Sequence, residues 1–349
     1  MHGRHGHDHE KHESGPEPPY RQSHEGRPHD SSEPGHEPAA HAGGAPDHVH
    51  DHRHVEGTEP PGRPRIGFVG AGRVGTTLAI AFSRAGWPVT AVASRDDGRR
   101  DRARALLPGS ATYSEAAAVL DDVDICFLTV PDDAVAAVAG TLRLYSSQAL
   151  VHTSGSLPAG VLRPAMAAGT AVASFHPLIS FAQTEQALAD LAGATVALEG
   201  DEALLGVLAE LAEDVGARPV RIPEDGKAAY HAAAMLASGG LVGLLDGIAE
   251  LARGADLDEP AAMAIYAPLV RQTLANAERL GIVAALTGPM VRGDVGTVRS
   301  HLAAVERLAP AVGPLYRAVA DRELAIAERR GDLSEGRAEE LRAALRTPG

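Results

Sequence analysis

RIGFVGAGRVG, residues 65–75, decides how this chain is read. Arg65 to Val69 is a short apolar strand, and Gly70-Ala71-Gly72-Arg73-Val74-Gly75 is a glycine turn. A helix follows with Val74, Leu78, Phe82 and Ala85 on one face and ends near Gly86, before a second strand at Val89 to Ala93. G-x-G-x-x-G alone is weak; between a strand and an amphipathic helix it becomes a dinucleotide-binding fingerprint. Gly70 permits the tight turn, Gly72 lets backbone approach a pyrophosphate, and Gly75 lets helix and strand pack closely. The helix N-terminus adds free N–H groups and a positive dipole end. The bland alternative is a glycine turn with no ligand.

The end of the second strand discriminates between cofactors. Ser94-Arg95 stands where an NAD site places an acid; a hydroxyl and a guanidinium suit the 2′-phosphate of NADP(H). Asp96 and Asp97 follow, and keep NAD open if the turn is shifted by one residue. Arg73 and Val74 belong to the same cofactor turn; Arg73 either meets the nucleotide or is a surface residue. Val130-Pro131-Asp132-Asp133 closes the apolar strand Val123 to Val130, at the edge where ligands lie in open α/β sheets. Val130, Pro131 and Asp132 are therefore cofactor candidates, with helix capping the other role for Asp132 or Asp133.

Working outward, strand patterns recur at Ala149 to His152, Ala171 to Ser174, Thr195 to Leu198 and Pro219 to Ile222, with helices near Ser114 to Leu120 and at Glu202 to Val215. After Ile222 only helical patterns remain: 227–253, 260–280, 295–308, 312–330 and a last one from Ser334. Asp258 before Pro260 reads as an N-cap. The apolar stretch Ala228 to Ala252 carries His231, Asp246 and Glu250 and reads as a buried domain helix rather than a membrane span. Three segments result: a tail over 1–63, an α/β doubly wound domain over 64–222 and an all-helical domain over 223–349.

The tail holds 13 of the 17 histidines and almost no large apolar residues, which reads as disorder. His5, His7 and His9, and His48, His50, His52 and His54, have spacings that could bind a transition metal, although no set closes a tetrahedral site. A net charge of −14 and 3% aromatic residues argue against a nucleic-acid partner. The single cysteine, Cys126, excludes a disulfide framework and fits a cytoplasmic protein, as does an N-terminus without an apolar signal segment.

Two histidines close strands at the edge where chemistry is expected: His152 in His152-Thr153-Ser154-Gly155-Ser156, and His176 in Phe175-His176-Pro177-Leu178. Each is a proton-transfer candidate, or else a hydrogen-bonded scaffold residue. Lys227, His231 and Ser238 lie along one stripe of a helix with apolar neighbours Ala234 and Met235. Desolvated there, Lys227 would act as a general acid; otherwise it is a lysine that snorkels to solvent. Arg292 could clamp a substrate carboxylate, or pair with Asp294 to hold its loop.

The set G-F-V-G-A-G-R-V-G, T-V-P-D-D, H-T-S-G-S, F-H-P-L, K-A-A-Y-H, L-T-G-P and R-G-D, in this order over residues 65–301, resembles Rossmann-like proteins that carry a DUF2520 domain. It is more distantly similar to ketopantoate reductases, pyrroline-5-carboxylate reductases, prephenate dehydrogenases and 3-hydroxyisobutyrate dehydrogenases. The resemblance implies a nucleotide domain followed by a helical domain that completes the site and forms a homodimer. It implies Lys227 as the catalytic lysine and His231 where an Asn stands in those enzymes. Members carry Ala-Ser-Asn further along this helix, where this chain has Ala237-Ser238-Gly239.

The expected protein is an NADP-dependent oxidoreductase that reduces a small keto acid, with 2-dehydropantoate the leading substrate. Lys227, His231, His176 and Ser238 are its catalytic candidates, and Arg292, Ser154 and Asp294 its substrate-binding ones. The competing expectation is a nucleotide- or redox-sensing scaffold without turnover, coupled to metal through the tail. Convergence of Lys227, His231 and Arg292 on one site separates the two.

Overall fold

One eight-stranded sheet organises the first part of the molecule in a computed structural model that describes residues 62–346 apart from 167 and 168. The chain divides into two units, Met1–Glu56 and Gly57–Gly349, and the described residues belong to the second. The histidine spacings of the tail lie outside the described residues.

The order along the chain is β1 (Ile66–Val69), α1 (Arg73–Arg84), β2 (Val89–Ala93), α2 (Asp97–Leu106), β3 (Ala111–Tyr113), β4 (Ile125–Leu128), α3 (Asp132–Thr141), β5 (Ala149–His152), α4 (Arg163–Met166), β6 (Ala171–Pro177), α5 (Thr184–Leu191), β7 (Thr195–Gly200), α6 (Glu202–Asp214) and β8 (Arg218–Arg221). The helix expected near Ser114 to Leu120 is a 3₁₀ helix over Ala116–Asp122. The strands lie in the order β3-β2-β1-β4-β5-β6-β7-β8. The first six are parallel, β7 runs antiparallel to β6, and β8 is parallel to β7. The strands are apolar almost throughout because helices cover both faces. On the face under α1 and α6, Phe68, Phe82, Phe127 and Phe175 pack ring against ring at 5.3–5.8 Å. Cys126 is fully buried on the opposite face, and that burial pushes its thiol up to about 12.

The remainder is helical: α7 (Lys227–Met235), α8 (Leu241–Arg253), α9 (Glu259–Leu280), α10 (Ile282–Ala285), α11 (Pro289–Arg292), α12 (Val295–Leu308), α13 (Gly313–Arg330) and α14 (Glu335–Arg346). A π turn at Leu236–Gly240 joins α7 to α8, at the two adjacent glycines of Leu-Ala-Ser-Gly-Gly. Asp258 caps α9, its side chain accepting from the Ala261 amide at 2.9 Å. The last helices share a core of Met290, Val298, Leu324 and Leu341.

One expectation is overturned. The helix spanning Glu224–Arg253 is not buried: over its most apolar window, of mean hydropathy 1.6, only 11% is covered. By length and composition it could cross a membrane. Leu236 and Val242 are each 66% exposed, and Ile265, Leu269 and Leu274 on α9 extend the same kind of surface. The expectation failed because an all-round apolar helix reads as covered; the reading says that something covers it, not that the same chain does.

Candidate active site

The glycine turn carries out three separate jobs. Gly70 has φ +115°, a region that side chains avoid, and a Cβ there would stand 2.8 Å from the Thr129 carbonyl oxygen. At Gly75 a Cβ would collide with the carbonyl oxygen of Gly70, so that glycine lets α1 close onto the turn. Gly72 differs: a Cβ there would meet only the Arg99 guanidinium at 3.9 Å. Its surroundings are open, as an approaching ligand requires. Gly72 is also the N-cap of α1, with no capping side chain and no acid in the first turn, so the first N–H groups remain available. Thr129 locks the turn by donating to the Gly70 carbonyl at 2.7 Å.

A cleft of about 1130 Å³ opens from this turn. Gly72, Arg73, Val74, Val130 and Pro131 line it, as the sequence suggests. Ser94 and Arg95 do not; in their place α2 contributes Arg99 and Arg102, one helical turn further on. With Arg73 and Arg84, four guanidinium groups face one carboxylate, Glu185, in a chain of net charge −14. Arg73 also donates to the Ala182 carbonyl at 3.3 Å, tying the turn to the loop after β6. The acids that left NAD open are committed elsewhere. Asp96 caps α2 by accepting from the Arg99 amide at 2.8 Å, and Asp97 pairs with Arg100. The arginines escaped notice in the sequence because α2 is so charged that no residue on it stands out; their i, i+3 spacing is the signal that could have found them.

The second cluster sits at the carboxyl ends of β5 and β6. Sheet register aligns His152 with Ser174, and Ser174 with Glu199. His176, two residues after Ser174, points to the same face. Lys227 descends onto this row from the start of α7 and is 2% exposed. Its ammonium donates to the Ser174 hydroxyl and to Glu199 at 3.2 Å, and Glu199 also accepts the Ala159 amide at 3.0 Å. Burial drives the lysine below its ordinary range, and the Glu199 carboxylate opposes that. The expected desolvation is therefore present, but the ammonium is held by a partner that sequence reading missed. The signal was an acid inside the apolar strand Thr195–Gly200, whose expected end fell one residue short of it.

His152 is fully buried: Nδ1 accepts the Ser154 amide at 3.2 Å, and Nε2 lies 3.3 Å from the Pro158 carbonyl. Burial, with the Lys227 charge added, lowers it to about 4, the profile of the scaffold alternative. Ser154 and Asp132, expected to bind substrate and cofactor, bind each other at 2.7 Å. Ser156 joins them at 2.8 Å, so Asp132 pins the H-T-S-G-S loop to the head of α3.

His176 and His231 meet over that loop, with ring centroids 5.9 Å apart. A Cβ on Gly155 would stand 2.5 Å from Nδ1 of His231 and 2.7 Å from Nε2 of His176, so only glycine fits between them. His231 Nδ1 is buried without a hydrogen-bond partner. His176 Nδ1 lies 3.1 Å from the hydroxyl of Tyr230, which stands in K-A-A-Y-H between Lys227 and His231 with no pattern of its own to mark it. Burial, with the nearby His231 and Lys227 charges, lowers His176 to about 4.

Three expected residues do not join this cluster. Ser238 lies eleven residues beyond Lys227, about 16 Å along the helix, and donates to the Ala234 carbonyl at 2.8 Å. Arg292 is exposed on α11, which packs on α12 and α13. Asp294 caps α12 by accepting the Thr297 amide at 3.0 Å and the Thr297 hydroxyl at 2.6 Å, bonds that hold it below the usual carboxylate range. A carboxylate at a helix N-terminus does this on local grounds alone.

Family models match the chain in two places: a Rossmann-like domain over residues 51–177 and a domain of unknown function, DUF2520, over 194–323. No protein with a curated description matches. Among solved structures, one of a Thermotoga maritima protein is 25% identical, covering 80% of this chain and 98% of that one, with a TM-score of 0.57. An imine reductase from Pseudomonas sp. is 17% identical, covering 80% and 99%, with a TM-score of 0.60. A reductive aminase from Aspergillus terreus, in complex with NADPH4, cyclohexanone and allyl amine, is 17% identical, covering 81% and 100%, with a TM-score of 0.57. The two reductases are alike in fold.

Proposed function

We propose that this chain, matched by a Rossmann-like model and a DUF2520 model, is an NADP-dependent oxidoreductase that reduces a small carbonyl or imine compound, a keto acid such as 2-dehydropantoate first among them. The observation that carries this is the cleft: an uncapped helix start and a bare Gly72 open onto it, and four arginines face it. The donor set fits a dinucleotide with an extra phosphate. The turn at Gly70–Gly75 and the first amides of α1 would hold the pyrophosphate, and Arg99 and Arg102 the 2′-phosphate. Asp96 is engaged by the Arg99 amide and Asp97 by the Arg100 guanidinium, which supports NADP over NAD. Bound there, NADPH supplies a hydride. The chain's own part is to position the acceptor at the β5 and β6 ends and to hold a proton there, with His176 and His231 at the edge and Lys227 bracing them through Glu199. The fold's likeness to imine-reducing enzymes supports a C=N acceptor as well as C=O.

One observation favours the sensing scaffold instead. Lys227 is held in an ion pair and Arg292 stays with α12 and α13, so the expected convergence is incomplete. A single experiment separates the two readings: titrate NADPH and NADH by fluorescence, then add 2-dehydropantoate and, separately, a cyclic imine. Preference for NADPH, lost in Arg99→Ala, with cofactor oxidation on adding either compound supports the enzyme. NADPH binding without oxidation by any carbonyl or imine panel supports the scaffold.

We also propose that the chain is a homodimer through the uncovered face of α7 to α9. Arg271, Glu278 and Arg279 on α9 favour a protein partner over lipid for that surface.

A further inference from the structure

Tyr230 stands three residues after Lys227, on the first turn of α7 that the buried Lys227–Glu199 pair holds against the sheet. Its hydroxyl lies 3.1 Å from Nδ1 of His176, with the two rings edge to face at 89°. An imidazole nitrogen is the better acceptor of such a pair and a phenol O–H the better donor, so the hydrogen bond runs from Tyr230 to His176. Nδ1 then carries the lone pair, and the ring's one proton belongs to Nε2. That nitrogen faces the bare backbone of Gly155, at the edge of a half-exposed histidine.

We propose that Tyr230 is the positioning residue of the site: it fixes His176 in the Nε2–H tautomer, so that this N–H is the hydrogen-bond donor for the oxygen or nitrogen of the reducible double bond. The inference rests on the oxidoreductase reading for its substrate, but not for its tautomer. The ring stays neutral at working pH because burial and the charges of His231 and Lys227 disfavour the imidazolium. Asp132, the one carboxylate that favours it, is occupied by Ser154 and Ser156. A neutral imidazole polarises a double bond as a donor without contributing a net charge.

The test uses the full chain labelled with ¹⁵N-histidine, its imidazole nitrogen–proton correlation spectrum recorded at pH 7.5, and the His176 signals assigned by their loss in His176→Gln. The wild type should show the Nε2–H pattern, and Tyr230→Phe should turn it into a mixture of tautomers. An Nδ1–H pattern in the wild type overturns the proposal even if the variant fails to fold, as does an unchanged tautomer in a folded Tyr230→Phe. With a substrate that turns over, Tyr230→Phe should lower kcat about 10²-fold at unchanged NADPH affinity; equal kcat overturns the donor role. Absence of NADPH binding in the wild type would instead remove the oxidoreductase reading and leave the tautomer result standing.

Discussion

Gly72 and Gly75 stand three residues apart and predict opposite failures. A Cβ at Gly72 enters open space beside Arg99, so Gly72→Ala should unfold within about 0.5 kcal/mol of wild type while weakening NADPH at least tenfold. A Cβ at Gly75 strikes the Gly70 carbonyl, so Gly75→Ala should lose stability by about 1–3 kcal/mol. Urea unfolding beside a cofactor titration reads both; loss of binding without loss of stability at Gly75 would contradict the packing role. Lys227 gives a sharper contrast. Lys227→Met leaves Glu199 buried and unpaired, which should cost about 3–5 kcal/mol. Adding Glu199→Gln should recover part of that loss, because the stranded charge is gone. If Lys227→Met alone is neutral in urea unfolding, the ion pair does not anchor α7.

At the scale of elements, β5 ends in the buried His152 and β6 carries the half-exposed His176, and their effect on stability has a definite sign. Both are lowered from an ordinary value near 6.5 to about 4. Between those values the unfolded chain binds protons that the folded one refuses, so stability falls as pH drops from 6.5 toward 4 and is flat above 6.5. Each histidine contributes a slope of roughly 1.4 kcal/mol per pH unit inside that window. Urea midpoints at pH 7.5, 6.0 and 5.0 should show the fall, and His152→Gln should halve its steepness. Helix boundaries were legible because their signals are local: 202–215 and 295–308 were expected, and Glu202–Asp214 and Val295–Leu308 are observed. The short strand Ala111–Tyr113 and the antiparallel direction of β7 were not legible. A three-residue strand has no period to detect, and strand direction follows from the path of the chain rather than from side-chain alternation.

For the whole molecule, the uncovered face of α7 to α9 predicts association. Leu236→Glu combined with Val242→Glu changes two side chains already exposed in the single chain, so folding should survive. Light scattering should give twice the chain mass for the wild type and one chain mass for the variant; a monomeric wild type would end the dimer proposal. The sequence by itself determined the glycine turn, the order of a sheet followed by a helical region, and the residues of the turn that line the cleft. Those follow from short-range sterics and from periods of two and 3.6 residues. Only the tertiary structure decided that Glu199 holds Lys227, that Arg99 rather than Arg95 faces the cleft, that Tyr230 meets His176, and that the most apolar helix is left uncovered. Apart from the choice of arginine, which turns on how α2 is rotated over the sheet, these depend on groups brought together across strands, 28 and 54 residues apart for the two pairs, or on what lies beyond the chain. No local pattern records a partner at that separation.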